Sequence, residues 1–356
     1  MKTSLKRNYI YNLLYRIVMV ITPLITAPYI SRVVGPEGIG QYSFTYAVSH
    51  YFLIIAVLGV SDYGTRSIAK VRDNPNDRSV IFSEIITMQI SLALIMVTAY
   101  YLYAIFYTDN KLLAYIQGLN VLSALFDVTW FLFGMELFLI TTIRNVVVKV
   151  ISVVLIITLV NNSSDVWIYT LIMAASTFIG QISVWPLLNK YVKFLKPSFR
   201  GVLRHFKPNA ILFLPVVANN LLGYFDKIMI GNMSTEAVLG CYDNAEKLLS
   251  IPNSLVTALG TVMLPKVSNS LAHGEDNKVK ELTEKSMIFI VFATSALSFG
   301  IASVAREFVP LFFGAGFDLV VPLIYTLAPY IIFVSWSNVL KTQCLLPKGR
   351  DREFVT

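Results

Sequence analysis

The apolar positions of this chain fall in long, unbroken runs. Residues 41–61, 85–108, 166–189, 287–305 and 319–340 contain no Asp, Glu, Lys or Arg. Residues 9–34, 112–135, 137–160, 209–233 and 238–264 contain between one and three. A bilayer core about 30 Å thick takes roughly 20 helical residues at about 1.5 Å each, so each run is long enough to cross. The runs do not alternate apolar with polar positions, the period a membrane β-barrel needs. A soluble helical domain buries one such helix, not ten. The pattern predicts an all-α polytopic membrane protein of about ten transmembrane helices.

Composition removes the other classes. Apolar residues make up 56% of the 356 and charged residues 14%, against about 25% charged in soluble domains. Two cysteines, Cys241 and Cys344, cannot staple a disulfide scaffold. The net charge of +8 would suggest nucleic acid in a soluble protein, but here its placement explains it better. Of 29 lysines and arginines, 22 lie on the N-terminal side of the runs (counting Arg144, toward that end of its run), two lie opposite (Lys111 and Arg306), and the other five lie inside. That asymmetry predicts cytoplasmic N- and C-termini and no nucleic-acid partner. Residues 1–7 look like the start of a signal peptide. The run behind them is too long, contains Pro23 and Pro28 and lacks a small-x-small cleavage site, so it is expected to be retained. The two cysteines are expected on opposite faces and unpaired. No HExxH, Walker or GxSxG pattern occurs, and no enzyme activity or cofactor is expected. Movement of a solute then draws on its own gradient or on an ion, H+ or Na+.

The chain repeats a signature. Tyr29, Arg32, Gly35 and Gly40-Gln-Tyr42 correspond to Tyr224, Lys227, Gly231 and Gly240-Cys-Tyr242. A basic stretch, 190–208, separates the copies. The expected organisation is a six-helix lobe over 1–189, a basic cytoplasmic linker over 190–208, and a partial lobe of about four helices over 209–356. Gly35-Pro36-Glu37-Gly38-Ile39-Gly40 is expected to be an extracytoplasmic turn, and 65–79 a polar loop.

Polar residues inside apolar runs are the candidate functional groups, because an unpartnered charge in hydrocarbon costs several kcal/mol. At about 100° per residue, Asn12, Arg16, Pro23 and Thr26 share one helical face. Thr141, Asn145, Lys149 and Ser152 share another. Asn219, Asn220, Gly223, Asp226 and Lys227 share a third. Such stripes can line one water-filled space.

The opening series Asn8, Tyr15, Pro23 and Ala27-Pro-Tyr-Ile-Ser-Arg32-Val-Val-Gly35 resembles the polysaccharide transporter family of Wzx-type O-antigen flippases. So do Asp62-Tyr-Gly-Thr-Arg66, Asp127-Val-Thr-Trp-Phe131, Arg144-Asn145 and Phe225-Asp-Lys-Ile-Met-Ile-Gly231. The resemblance covers essentially the whole chain. It implies a two-lobe bundle like that of the MATE drug–cation antiporters and lipid II flippases, with an incomplete second lobe here and an apparent C-terminal truncation. It implies alternating-access transport of a polyprenyl-pyrophosphate-linked oligosaccharide, such as an undecaprenyl-pyrophosphate-linked O-antigen or capsule unit, across the bacterial inner membrane. Partners would be the bilayer, a polysaccharide polymerase and a chain-length regulator. On that reading Arg16, Arg32, Lys149, Asn219, Asn220 and Lys227 bind substrate, the cations meeting the pyrophosphate. Asp62, Asp127 and Asp226 are the candidates for ion coupling, and Gln89 and Gln181 could serve the glycan. The alternatives are a cation-coupled multidrug antiporter of the same fold, a membrane glycosyltransferase or ligase, and an inactive truncated remnant. Short outer loops weigh against the glycosyltransferase. The sequence names no metal site.

Overall fold

The computed structural model describes residues 5–345. Within them, the side chains at 5–21, 212, 214–222, 255, 257, 258, 261, 262, 264, 265 and 272 lie outside the description. The described chain is helical and contains no strand. The helices are α1 (Leu5–Val57), α2 (Val60–Val71), α3 (Pro75–Phe106), α4 (Lys111–Ser123), α5 (Thr129–Gly134), α6 (Phe138–Leu159), α7 (Val166–Ile182), α8 (Trp185–Leu188), α9 (Phe199–Met233), α10 (Glu236–Ala272), α11 (Asp276–Phe313) and α12 (Val320–Val339). Seven helical stretches among the described residues are long and apolar enough to cross a membrane. They are Thr22–Val71, Pro75–Phe106, Lys111–Gly134, Phe138–Leu159, Ser163–Leu188, Asp276–Phe313 and Val320–Leu345. The runs 209–233 and 238–264 lie on α9 and α10. The protein is an all-helical, multi-pass membrane protein.

Three local features differ from the sequence pattern, each for a physical reason. The expected turn at Gly35–Gly40 is a single non-helical residue inside α1, Gly35, at φ 72° and ψ 178°. Glycine reaches that conformation without a Cβ clash, and Pro36 restarts the helix where its missing N–H costs nothing. The expected polar loop 65–79 is mostly helical: 65–71 end the amphipathic helix α2, which buries Val60, Gly64 and Ile68, and 75–79 open α3. The side chain of Asn74 then caps α3 by accepting from Asn76 N (3.0 Å) and Asp77 N (3.4 Å) ahead of the apolar run. The run 112–135 is not one helix: it breaks at Asp127, between a 3-10 turn (Ala124–Phe126) and α5.

The chain divides into two compact units, residues 1–240 and 241–356. In the first, α4 packs on α7, and α1 packs on α3, α4, α6 and α9. One apolar core joins Val60, Ile68, Phe82, Trp130, Phe131, Leu188 and Val192. The residues 190–198 are strapped onto α3. Arg78 donates to Tyr191 O (2.6 and 2.9 Å), Ser79 Oγ accepts from Lys193 N (3.1 Å), and Ser83 Oγ accepts from Leu195 N (3.0 Å). The second half of the basic stretch is helical and opens α9.

In the second unit, α11 and α12 pack together, and Val256 of α10 meets Ile290 and Val339. With 38 residues, α11 is roughly 57 Å long, well beyond a bilayer core of about 30 Å. Its first turns hold the Glu281–Lys285 pair (2.5 Å), beside Lys278–Glu275 (2.9 Å). Both cysteines are free.

Candidate functional site

The repeated glycines have a structural use. A Cβ on Gly40 would lie 1.8 Å from the carbonyl oxygen of Glu236, and a Cβ on Gly240 would lie 1.9 Å from that of Pro36. Each glycine thus faces the carbonyl four residues before the other. Residues 36–40 of α1 and 236–240 of α10, all in the first unit, meet at backbone contact, and Gln41 Nε2 donates to Glu236 Oε2 beside them (2.7 Å).

The other resemblance motifs also meet one another. A Cβ on Gly64 would stand 2.6 Å from the Trp130 ring, so α2 lies directly against α5. Thr65 Oγ1 donates to Trp130 O (3.2 Å). Asp127 Oδ1 accepts from Thr129 N (2.9 Å), capping α5. Gln89 is fully buried; it donates to Ala124 O and Asp127 O and accepts from Trp130 Nε1. Its amide is spent on the helix break and is not free for a glycan. Tyr29 donates to Ile157 O and Val160 O at the end of α6.

The polar face of α6 holds both structural and unspent groups. Arg144 donates to Asn145 Oδ1 (3.0 Å) and Gln181 Oε1 (2.9 Å), tying α6 to α7. Ser152 and Ser176 share a 2.7 Å hydrogen bond across the same seam, where Gly180 lies against Val148. Between them, near the middle of α6, Lys149 is half-buried. It makes no ion pair among the described residues.

The remaining candidates are spread. Arg32 is exposed, one turn before the Gly35 break. Lys227 is half-buried on α9, with its ammonium 5.9 Å from the centre of the Tyr224 ring, and Asp226 beside it is exposed. Tyr224 also meets His50 and Tyr46, which continue a ring series through Tyr42 to Tyr169. Asp62 is exposed in the first turn of α2, where a carboxylate favours the helix dipole. The side chains of Arg16, Asn219 and Asn220 lie outside the described residues. The structure therefore brings Lys227 together with the Tyr46–His50–Tyr224 rings, and sets Arg32 and Asp62 at surfaces. No group of three or more metal-ligating side chains occurs among the described residues.

Sequence reasoning missed a buried polar cluster on α2, α3 and α9. Glu84 Oε2 accepts from Arg204 Nε (3.1 Å) and Nη2 (2.5 Å) and lies 2.8 Å from His205 Nε2; His205 Nδ1 lies 2.6 Å from the Tyr63 hydroxyl. Glu84 and His205 are both buried, and a Cβ on Gly201 would collide with Glu84 Oε1. Glu84 sits just before the uncharged run 85–108, and Arg204 and His205 read as part of a basic linker. The residual signal was an acid at the edge of an uncharged run with an Arg-His pair elsewhere.

Long apolar helices with polar groups placed within them define a polytopic helical membrane protein. The fold is similar to that of the MATE multidrug transporter DinF-BH, with a TM-score of 0.56, 15% identity, and 96% of this chain and 82% of that chain covered. The chain belongs to the polysaccharide biosynthesis protein family, whose model matches residues 5–271. It is 25% identical to "Putative O-antigen transporter" of Escherichia coli (strain K12), over 99% of this chain and 86% of that protein. A shorter match, 21% identical over 42% of this chain and 30% of the relative, is to "Probable low-salt glycan biosynthesis flippase Agl15" of Haloferax volcanii.

Proposed function

We propose that this protein is a flippase for polyprenyl-pyrophosphate-linked oligosaccharide in the bacterial inner membrane, with both termini cytoplasmic, working by alternating access. Family membership and the names of the two relatives support the substrate class. The observation that carries the reading is Lys149, a half-buried cation near the middle of α6 without an ion-pair partner among the described residues. A cation in a low-dielectric setting attracts a diphosphate far more strongly than it would in water. Arg16, Arg32 and Lys227 are the other cations proposed for the pyrophosphate, and Asn219 and Asn220 the groups proposed for the glycan. Asp226, Asp62 and Asp127 remain the proposed coupling groups for H+ or Na+, with Asp127 also capping α5. A polymerase and a chain-length regulator are the proposed protein partners.

The test is complementation in cells lacking their own flippase. The wild-type chain restores surface glycan, and Lys149→Ala delivers far less at an equal membrane protein level. Full delivery by Lys149→Ala removes that residue from the site. A multidrug antiporter on the same fold would instead confer dye efflux and leave surface glycan unrestored.

A further inference from the structure

The first turns of α9 present three distinct faces. Gly201, His205 and Asn209 are buried against the rest of the first unit. Phe199, Leu203 and Phe206 are exposed and fall within about 60° of one another at about 100° per residue. Arg200, Arg204 and Lys207 form a basic stripe beside them, centred about 100° from Phe199. A helix with an exposed aromatic stripe flanked by cations is built to lie at a membrane surface.

A groove runs between this helix and α3. It has a volume of about 500 Å³ and is lined by Met88, Leu92, Val202 and Phe206, together with Ser91 and Lys196. That size lies within the range of roughly 300–1,000 Å³ typical of ligand pockets. The lining is mainly apolar, and Lys196 is the charged residue in it. Arg204 is engaged by Glu84, whereas Lys196, Arg200 and Lys207 make no ion pair among the described residues.

We propose that this groove is a binding site for an anionic glycerophospholipid of the adjoining leaflet. One acyl chain lies along Met88, Leu92 and Phe206, and the phosphate meets Lys196 and Arg200. An apolar groove with Lys196 in its lining and Arg200 in the adjoining first turn of α9 complements an amphiphile whose charged end carries an anionic phosphate. A neutral headgroup leaves the two cations unanswered, and free phosphate leaves the groove unfilled. The site is separate from the Lys149 region and does not depend on the flippase reading.

The experiment is native mass spectrometry of the full chain, released from nanodiscs of mixed phosphatidylglycerol and phosphatidylcholine. The wild-type protein is expected to retain phosphatidylglycerol over phosphatidylcholine, and to lose it as ionic strength rises. The double variant K196Q/R200Q, at exposed positions, lowers that retention by about thirtyfold if each cation contributes as basic residues near a membrane surface usually do. Ser91→Trp plugs the groove and lowers retention without changing charge. K278Q/K280Q, in the second unit, leaves it unchanged. Equal retention by wild type and K196Q/R200Q, or equal retention of the two lipids, overturns the site. Displacement of phosphatidylglycerol by inorganic phosphate, or by polyprenyl phosphate at lower concentration, overturns the assignment of its occupant.

Discussion

Replacing Gly40 by alanine puts a methyl group where the crossing of α1 and α10 has no room. The new Cβ would lie 1.8 Å from the Glu236 carbonyl oxygen, against a comfortable contact of about 3.5 Å. The obstacle is backbone, so no side chain can swing away. The helices must separate by roughly 1.7 Å locally, pulling on the Gln41–Glu236 hydrogen bond. Overpacking of this kind costs about 1–3 kcal/mol. Alanine's better helix propensity returns about 1 kcal/mol. Taking the upper end for a backbone collision, the net loss is about 2 kcal/mol, or about 3 °C of Tm in a chain of this size. Gly300 provides the control, because a Cβ there meets nothing within 4 Å. The assay is thermal unfolding of purified protein in detergent. Gly40→Ala and Gly240→Ala should each melt below wild type, and Gly300→Ala at or above it. The double variant should lose less than the sum, since both methyl groups strain one crossing. If Gly40→Ala is as stable as Gly300→Ala, the close crossing and the reasoning built on it are wrong.

Three further outcomes follow from the geometry. Glu84→Ala should destabilise the chain more than Arg204→Ala in the same melting assay, by about 1–3 kcal/mol. It strands a buried His205, whereas the Arg204 side chain is 55% exposed and can turn to water. Asp127→Ala should cost about 1 kcal/mol as a lost helix cap; reduced transport with unchanged stability would instead mark Asp127 as a coupling group. In the turn before α7, Asp165 Oδ2 accepts from the backbone N–H groups of Asn161 and Asn162 (2.9 Å each). Asp165→Ala leaves both donors without that partner and should cost about 1 kcal/mol, like a lost helix cap. The same melting assay reads it, and an unchanged Tm would show that the carboxylate ties nothing down.

Length and polarity alone made the helices legible, because a bilayer permits few other solutions for backbone hydrogen bonds. The Gly40 and Gly240 signatures were visible as a repeat, but their contact was not, since it joins residues 200 apart. The break at Asp127 was hidden because Gln89, distant in sequence, supplies the partners that make it tolerable. Lys149 stood out on α6 because hydrocarbon neighbours isolate it. Arg144, read only as part of the Arg144-Asn145 motif, is a tie to Gln181. The Glu84–His205 cluster escaped notice because each member borders a basic or polar stretch where charge is ordinary. Periodicity finds polar groups on helices; which ones are spent on neighbouring helices is a property of packing.

The central claim is movement of a lipid-linked glycan between leaflets. It is tested most directly in liposomes holding the purified chain and a polyprenyl-pyrophosphate oligosaccharide with a fluorophore on its sugar. Inner-leaflet label should become accessible to a membrane-impermeant reductant much faster than in protein-free vesicles, and Lys149→Ala vesicles should lag. Equal rates with and without the protein, or equally fast movement of a labelled phospholipid bearing no glycan, would contradict it.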